Sequence, residues 1–263
     1  MDTIYNYTKH ILGLPELASK HGADVDKLIV YVHYLMGALF IGWILYFIYV
    51  LVRFNKKANP KADYVGIKSH ASNYIELVVA IIEGILLVGF AVPLWAGAVD
   101  NFPKDSDHPT KIKIIAQQFA WNVFYPGPDG EFGNSDASFV TQDNPWGLDK
   151  NDPKGKDDFI APVNEIHVPV NKPVIITLTS KDVIHSFKLI PMRVTQDAIP
   201  GLRIPLHFTP TEVGVFQINC AQLCGVGHSS MSGGRLHVDT QEDYDKWVAE
   251  KSKAAAKSAT SFE

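Results

Sequence analysis

Cys220-Ala-Gln-Leu-Cys224-Gly-Val-Gly-His228-Ser-Ser-Met231 holds both cysteines of the 263-residue chain, with a histidine and a methionine close behind them. Three chemistries compete for it. A disulfide would close a very short loop and leave His228 and Met231 without a role. Zinc takes cysteine and histidine, but a thioether is not one of its normal ligands. Copper uses every group, since thiolate and thioether are the soft ligands that hold Cu(I) and imidazole suits both oxidation states. A soft-ligand loop of this kind belongs on a β-sandwich, and the sequence on either side fits one.

From residue 111 the chain runs as short β-branched stretches separated by turn residues: KIKIIAQQFAWNVFY (111–125), NEIHVPV (164–170), PVIITLTS (173–180), HSFKLI (185–190), RIPLHFT (203–209), VGVFQIN (213–219) and GRLHVD (234–239). Several such stretches without helical periodicity predict a small antiparallel sandwich or Greek-key barrel. Thr240 with Asp243 three residues later predicts the start of a short C-terminal helix.

The amino-terminal part reads differently. Residues 28–52 and 75–99 are each apolar over more than the ~20 residues a helix needs to cross a bilayer. The first run is too long and too far from Met1 to read as a cleaved signal. Five basic residues (Arg53, Lys56, Lys57, Lys61, Lys68) lie in or beside the connection, against Lys9, Lys20 and Lys27 before the first span. The positive-inside rule then places the connection in the cytoplasm and both termini outside. The predicted organisation is an extracytoplasmic segment 1–27, a two-span hairpin 28–99, and an outer domain 100–263 facing the periplasm of a bacterial inner membrane.

A formal net charge of −4, with no basic stripe, P-loop or dinucleotide fingerprint, argues against nucleic-acid binding. The charge is uneven. Residues 127–165 carry nine acidic side chains (Asp129, Glu131, Asp136, Asp143, Asp149, Asp152, Asp157, Asp158, Glu165) against Lys150, Lys154 and Lys156. This insertion, 126–162, reads as either a solvated loop or a docking surface for a basic partner.

One blue copper needs a single cysteine. Two thiolates from one loop can instead bridge two coppers, and the pair then wants a second histidine, for which His185 in Asp182-Val-Ile-His185-Ser-Phe187 is the best placed. Here the chain resembles subunit II of the haem–copper cytochrome c oxidases, which carries a dinuclear copper (CuA) centre. Cys220, Cys224, Gly225, His228 and Met231 meet the family pattern C-x-x-x-C-G-x-x-H-x-x-M. Asp182 to Phe187 meet D-V-x-H-S-[FW], and Asp197-Ala-Ile-Pro-Gly201 also matches.

The resemblance implies a cupredoxin-like domain behind a two-helix membrane anchor. Its ligands would be Cys220 and Cys224 as bridges, His185 and His228, Met231 as a weak ligand, and the main-chain carbonyl of Gln222. Relatives often carry at that position a glutamate that can also bind magnesium; glutamine here weakens the case for that metal. Phe119 in Gln118-Phe119-Ala120-Trp121 stands where relatives take up electrons through a tryptophan, and Trp121 matches the second aromatic. Glu76 matches a glutamate at the mouth of a proton pathway. The implied partners are oxidase subunits I and III, membrane lipid, and a separate cytochrome c-like donor, because no C-x-x-C-H haem attachment motif occurs. Rival readings are the CuA subunit of a nitric oxide reductase and a membrane-anchored copper carrier or assembly factor.

Overall fold

The computed structural model describes residues 2–61, 64–66, 68–141, 144, 146–149 and 151–260. Asp143 and Lys150 of the acidic segment lie outside this set. The chain divides into two units, Met1–Leu14 with Asp24–Gly97, and Pro15–Ala23 with Ala98–Glu263.

The first unit is helical: α1 (Asp2–Ile11), α2 (Gly22–Arg53), α3 (Ala71–Leu86) and α4 (Val92–Val99). Two stretches, Gly22–Arg53 and Ala71–Val99, are long and apolar enough to cross a membrane; Asp26 and Val30 near the start of the first are covered, while the most apolar part of each is unburied in the isolated chain. That is the composition of helices whose solvent is lipid. The second stretch passes through a π-helical turn at Leu87–Ala91 just before Pro93. Proline lacks the N–H that would bond four residues back and its ring crowds that carbonyl, so a wider turn is the physical remedy. Helix α1 is tied to the start of α2 by Lys9 and the fully buried Asp26, 3.0 Å apart, and by Thr8 and Tyr34, 2.9 Å apart.

The second unit is a sandwich of two five-stranded sheets, ordered β3-β2-β1-β5-β8 and β4-β10-β9-β6-β7. Its strands are β1 (Thr110–Gln117), β2 (Ala120–Tyr125), β3 (Phe159–Ile160), β4 (Glu165–Pro169), β5 (Val174–Ser180), β6 (His185–Leu189), β7 (Val194–Ala198), β8 (Ile204–Phe208), β9 (Gly214–Cys220) and β10 (Gly234–Asp239). This is the expected sandwich with one difference from an all-antiparallel ladder: β1 pairs with β5, and β4 with β10, in parallel. The first strand-like run breaks at Gln118-Phe119 into the β1–β2 hairpin. Alternation fills the core: in β5 Val174, Ile176 and Leu178 face in, and between the sheets they meet Trp121, Phe187, Ile166 and Leu236.

Two additions complete the unit. Helix α5 (Gln241–Thr260) starts as expected, the Asp243 amide donating to Thr240 Oγ1 at 3.2 Å. It packs Trp247 on His167 (4.2 Å between rings), which in turn stacks on His237 across the β4–β10 pair (4.3 Å). The segment Pro15–Ala23 lies against the sandwich: Ala18 is in the core, Ser19 donates to the Met192 carbonyl, and the Arg193 guanidinium donates to the carbonyls of Pro15 and Glu16.

The acidic insertion is folded onto the outer face of β1 and β2. Trp146 is 1% exposed against Ile115 and Phe124, which is why Ile115 breaks the alternation of β1. Its carboxylates serve as caps for the insertion's own turns: Asp152 accepts from the Asn134 and Lys154 amides, Asp157 from Asp129, Asp158 from Gly133, and Asp136 from Ser138. Glu131 pairs with Lys111 at 3.1 Å. Burial raises the Asp158 carboxyl to about 6, despite that amide and nearby Lys113.

Candidate metal centre

The ligand loop connects β9 to β10. Cys220 is the last residue of β9, and His228–Gly233 form a 3₁₀ segment that returns the chain to β10. His185 opens β6, the neighbour of β9. This places side chains separated by 35 residues next to each other, with His185 Nδ1 3.9 Å from Cys220 Sγ.

The six groups expected from the sequence come together. Cys220 Sγ lies 4.0 Å from Cys224 Sγ and donates to the Gln222 carbonyl at 3.1 Å. Cys224 Sγ lies 3.4 Å from His228 Nδ1 and 3.5 Å from Met231 Sδ. His185 and Met231 are fully buried, both cysteines nearly so, and His228 is half-buried. The sulfurs are free thiols.

The donor set fits a soft metal pair. Burial first, and then neighbouring Cys220, pushes the Cys224 thiol up to about 11. Two close sulfurs in an apolar setting cannot both ionise without a cation, and a cation between them supplies that charge. The imidazole is also prepared. His185 Nε2 lies 2.9 Å from an Asp182 carboxylate oxygen, so it carries the proton and leaves the Nδ1 lone pair facing Cys220. Asp182 is fixed in turn by amides of Gln118 (2.7 Å) and Val183 (2.7 Å), which together with His185 hold its carboxyl below the usual range against its partial desolvation.

Trp121 is fully buried, donates from Nε1 to the Met231 carbonyl at 3.2 Å, and stands edge-on to His185 and Phe187. Of the two aromatics singled out in the sequence, only Phe119 has exposed surface; its ring lies against Gly225 and Gly227 of the ligand loop. The loop tip is apolar and open, with Leu223 82% and Val226 fully exposed. Glu76 and Glu83 lie on α3 in the other unit and face outward in the isolated chain.

Fold and site define a cupredoxin-like sandwich, with a soft-ligand loop, in a chain that carries two membrane-length helices. Residues 110–234 match the family model for cytochrome c oxidase subunit II, periplasmic domain. An alternative cytochrome c oxidase subunit 2 of Bradyrhizobium diazoefficiens is 30% identical over 227 residues, 85% of this chain and 79% of that protein. A probable cytochrome c oxidase subunit 2 of Rickettsia prowazekii is 32% identical over 214 residues, 81% of this chain and 63% of that one. Among solved structures, the periplasmic domain of subunit II of cytochrome oxidase from Bradyrhizobium japonicum is 30% identical, with a TM-score of 0.40 over 56% of this chain and 96% of that one. The chain belongs to the cytochrome c oxidase subunit II family.

Proposed function

We propose that this chain is the electron-accepting subunit of an aerobic terminal oxidase, taking single electrons from a cytochrome c-like donor and passing them to haem in subunit I, where oxygen reduction is coupled to proton translocation. The carrying observation is the gathering of two thiols, two imidazoles, a thioether and a carbonyl around one buried point. Cys220, Cys224, His185, His228, Met231 and the Gln222 carbonyl would hold the copper, which would supply a one-electron couple there.

The protein's own part is to hold these groups still and dry. Asp182 orients His185, Trp121 anchors the Met231 main chain, and the sandwich core excludes water from the sulfurs. The half-buried His228 and the apolar tip of Leu223 and Val226 form the face nearest the ligands that a donor can touch. The carboxylates of Asp152, Asp157 and Asp158 accept from amides of the insertion's own turns, which supports contact at the apolar tip and leaves the insertion to long-range steering of a basic donor. Phe119 lies between solvent and the loop and is the aromatic through which an electron would enter.

The anchor would sit in a bacterial inner membrane beside subunits I and III, with both termini and the sandwich in the periplasm, as the basic connection directs. Glu76 would lie at the cytoplasmic mouth of a proton path, a role that suits a carboxylate in a membrane helix.

Electron paramagnetic resonance of the full-length chain, loaded with copper in detergent, tests the reading. The expected result is hyperfine structure from one electron shared equally by two copper nuclei. A single-nucleus signal, or zinc retained in place of copper, would sink it.

A further inference from the structure

The β1–β2 hairpin turn does more than join two strands. It touches both ligand-bearing loops at once. The main-chain amide of Gln118 donates to Asp182 Oδ2 at 2.7 Å, and the other oxygen of that carboxylate holds His185. The side-chain amide of the same residue donates to the Cys224 carbonyl at 2.6 Å. Next to it, the Phe119 ring fills the space over Gly225 and Gly227. A Cβ on Gly227 would come within 2.4 Å of that ring, so the two surfaces are closely apposed.

Near the tip the β6–β9 pairing holds Phe187 with Cys220 and Lys188 with Asn219, and the Ala221 amide extends it by donating to the Ser186 carbonyl at 2.9 Å. Beyond Ala221 the loop that carries Cys224 leaves the sheet, and its position relative to His185 depends on contacts outside the ladder. Gln118 supplies two of them from a single residue. The residue is exposed overall and its side-chain amide lies against the loop and not in the core.

We propose that Gln118 is a positioning residue: through its main chain it sets the carboxylate that orients His185, and through its side chain it sets the segment that carries Cys224, so that it fixes the separation of the two halves of the metal site. The inference rests on the copper reading above for its effect on metal, and on the polypeptide alone for its effect on the loop.

The test compares full-length wild type with Gln118→Leu, which is neutral, comparable in size and has no N–H for the Cys224 carbonyl, and with Gln117→Leu, the same change one residue away, as the control. In metal-free protein, Gln118→Leu should raise the alkylation rate of Cys224 by about threefold to tenfold, the factor a lost hydrogen bond of ordinary strength gives, with no new charge to alter the thiolate fraction. Gln117→Leu should match wild type. In copper-loaded protein, Gln118→Leu should lose copper faster to excess chelator and show unequal hyperfine coupling to the two nuclei, with an unchanged melting temperature. Equal alkylation rates in wild type and Gln118→Leu, or an equal rise in Gln117→Leu, would overturn the proposal. Absence of a two-nucleus signal from wild type would instead strike the copper reading, and the alkylation comparison would still decide the role of Gln118.

Discussion

At the scale of single residues, the thiols, imidazoles and thioether that gather in the fold are legible in the sequence and the groups that support them are not. Cysteine, histidine and methionine are chemically distinctive, and their spacing within twelve residues survives whatever the rest of the loop does. Trp121 and Gln118 act through an indole N–H, a main-chain amide and a side-chain amide, donors that no spacing rule singles out. Asp182 lies between these cases: the motif around His185 contains it, but its bond to Nε2 appears only in the structure. Replacing Asp182 with Asn should therefore weaken copper binding about 10- to 100-fold, the usual cost of removing the partner of a ligating imidazole, while leaving the fold intact. Competition with a chelator of known affinity measures it, and undiminished retention would show that His185 needs no orienting carboxylate.

At the scale of elements, the long alternating strands are readable because one face must be buried: β5 shows a strict in-out pattern. Strands β3 and β7 are short or polar, and the pairing of β1 with β5 or β4 with β10 depends on contacts far apart in sequence, so periodicity cannot announce either. The acidic insertion looks featureless because its order comes from turn caps and one tryptophan. Trp146→Ala should remove the anchor at a cost of about 3–5 kcal/mol borne by the insertion alone. Hydrogen exchange should then speed up across 126–162 and stay slow in β5 and β9; uniform protection would mean that the insertion is held by its caps.

Helix α5 should respond to pH. Burial, more than its Asp239 partner can offset, lowers the pKa of His167, which stacks between His237 and Trp247, with Glu165 also near. The folded state therefore prefers the neutral ring, and stability present above pH 6.5 is lost as the pH falls through the lowered folded value. Asp158 works in the opposite sense: its raised carboxyl makes the folded state bind the extra proton, so that its contribution falls as pH rises from 3.8 through about 6. The fluorescence of Trp247 should report loosening of α5 below about pH 6.5, a response that His167→Gln should flatten. An identical acid profile in that variant would assign the effect elsewhere.

At the scale of the whole molecule, two solvents shape one chain: the first unit buries little and suits lipid, and the second encloses its own core. For donor association, the open apolar tip predicts that Val226→Asp slows electron uptake more than neutralising Asp136 or Asp149 does, and stopped-flow oxidation of the donor at two salt concentrations would show it. The strap formed by Pro15–Ala23 carries a further consequence, this one for biosynthesis. Ser19 meets Met192 across 173 residues of chain, and Ala18, Lys20 and Thr211 complete that seam. The piece that closes this seam of the sandwich is thus translated first and received last, and a sandwich folded from the carboxy-terminal sequence alone lacks these contacts. A fragment of residues 100–263 should melt about 2–8 °C below the full chain, the shift that one or two kcal/mol produces in a domain of this size, and a peptide spanning 15–23 should restore part of the loss. The apolar helices and the sandwich are then not a handle and a tool joined by a linker, because the chain on its way into the first apolar helix has left behind a part of the sandwich.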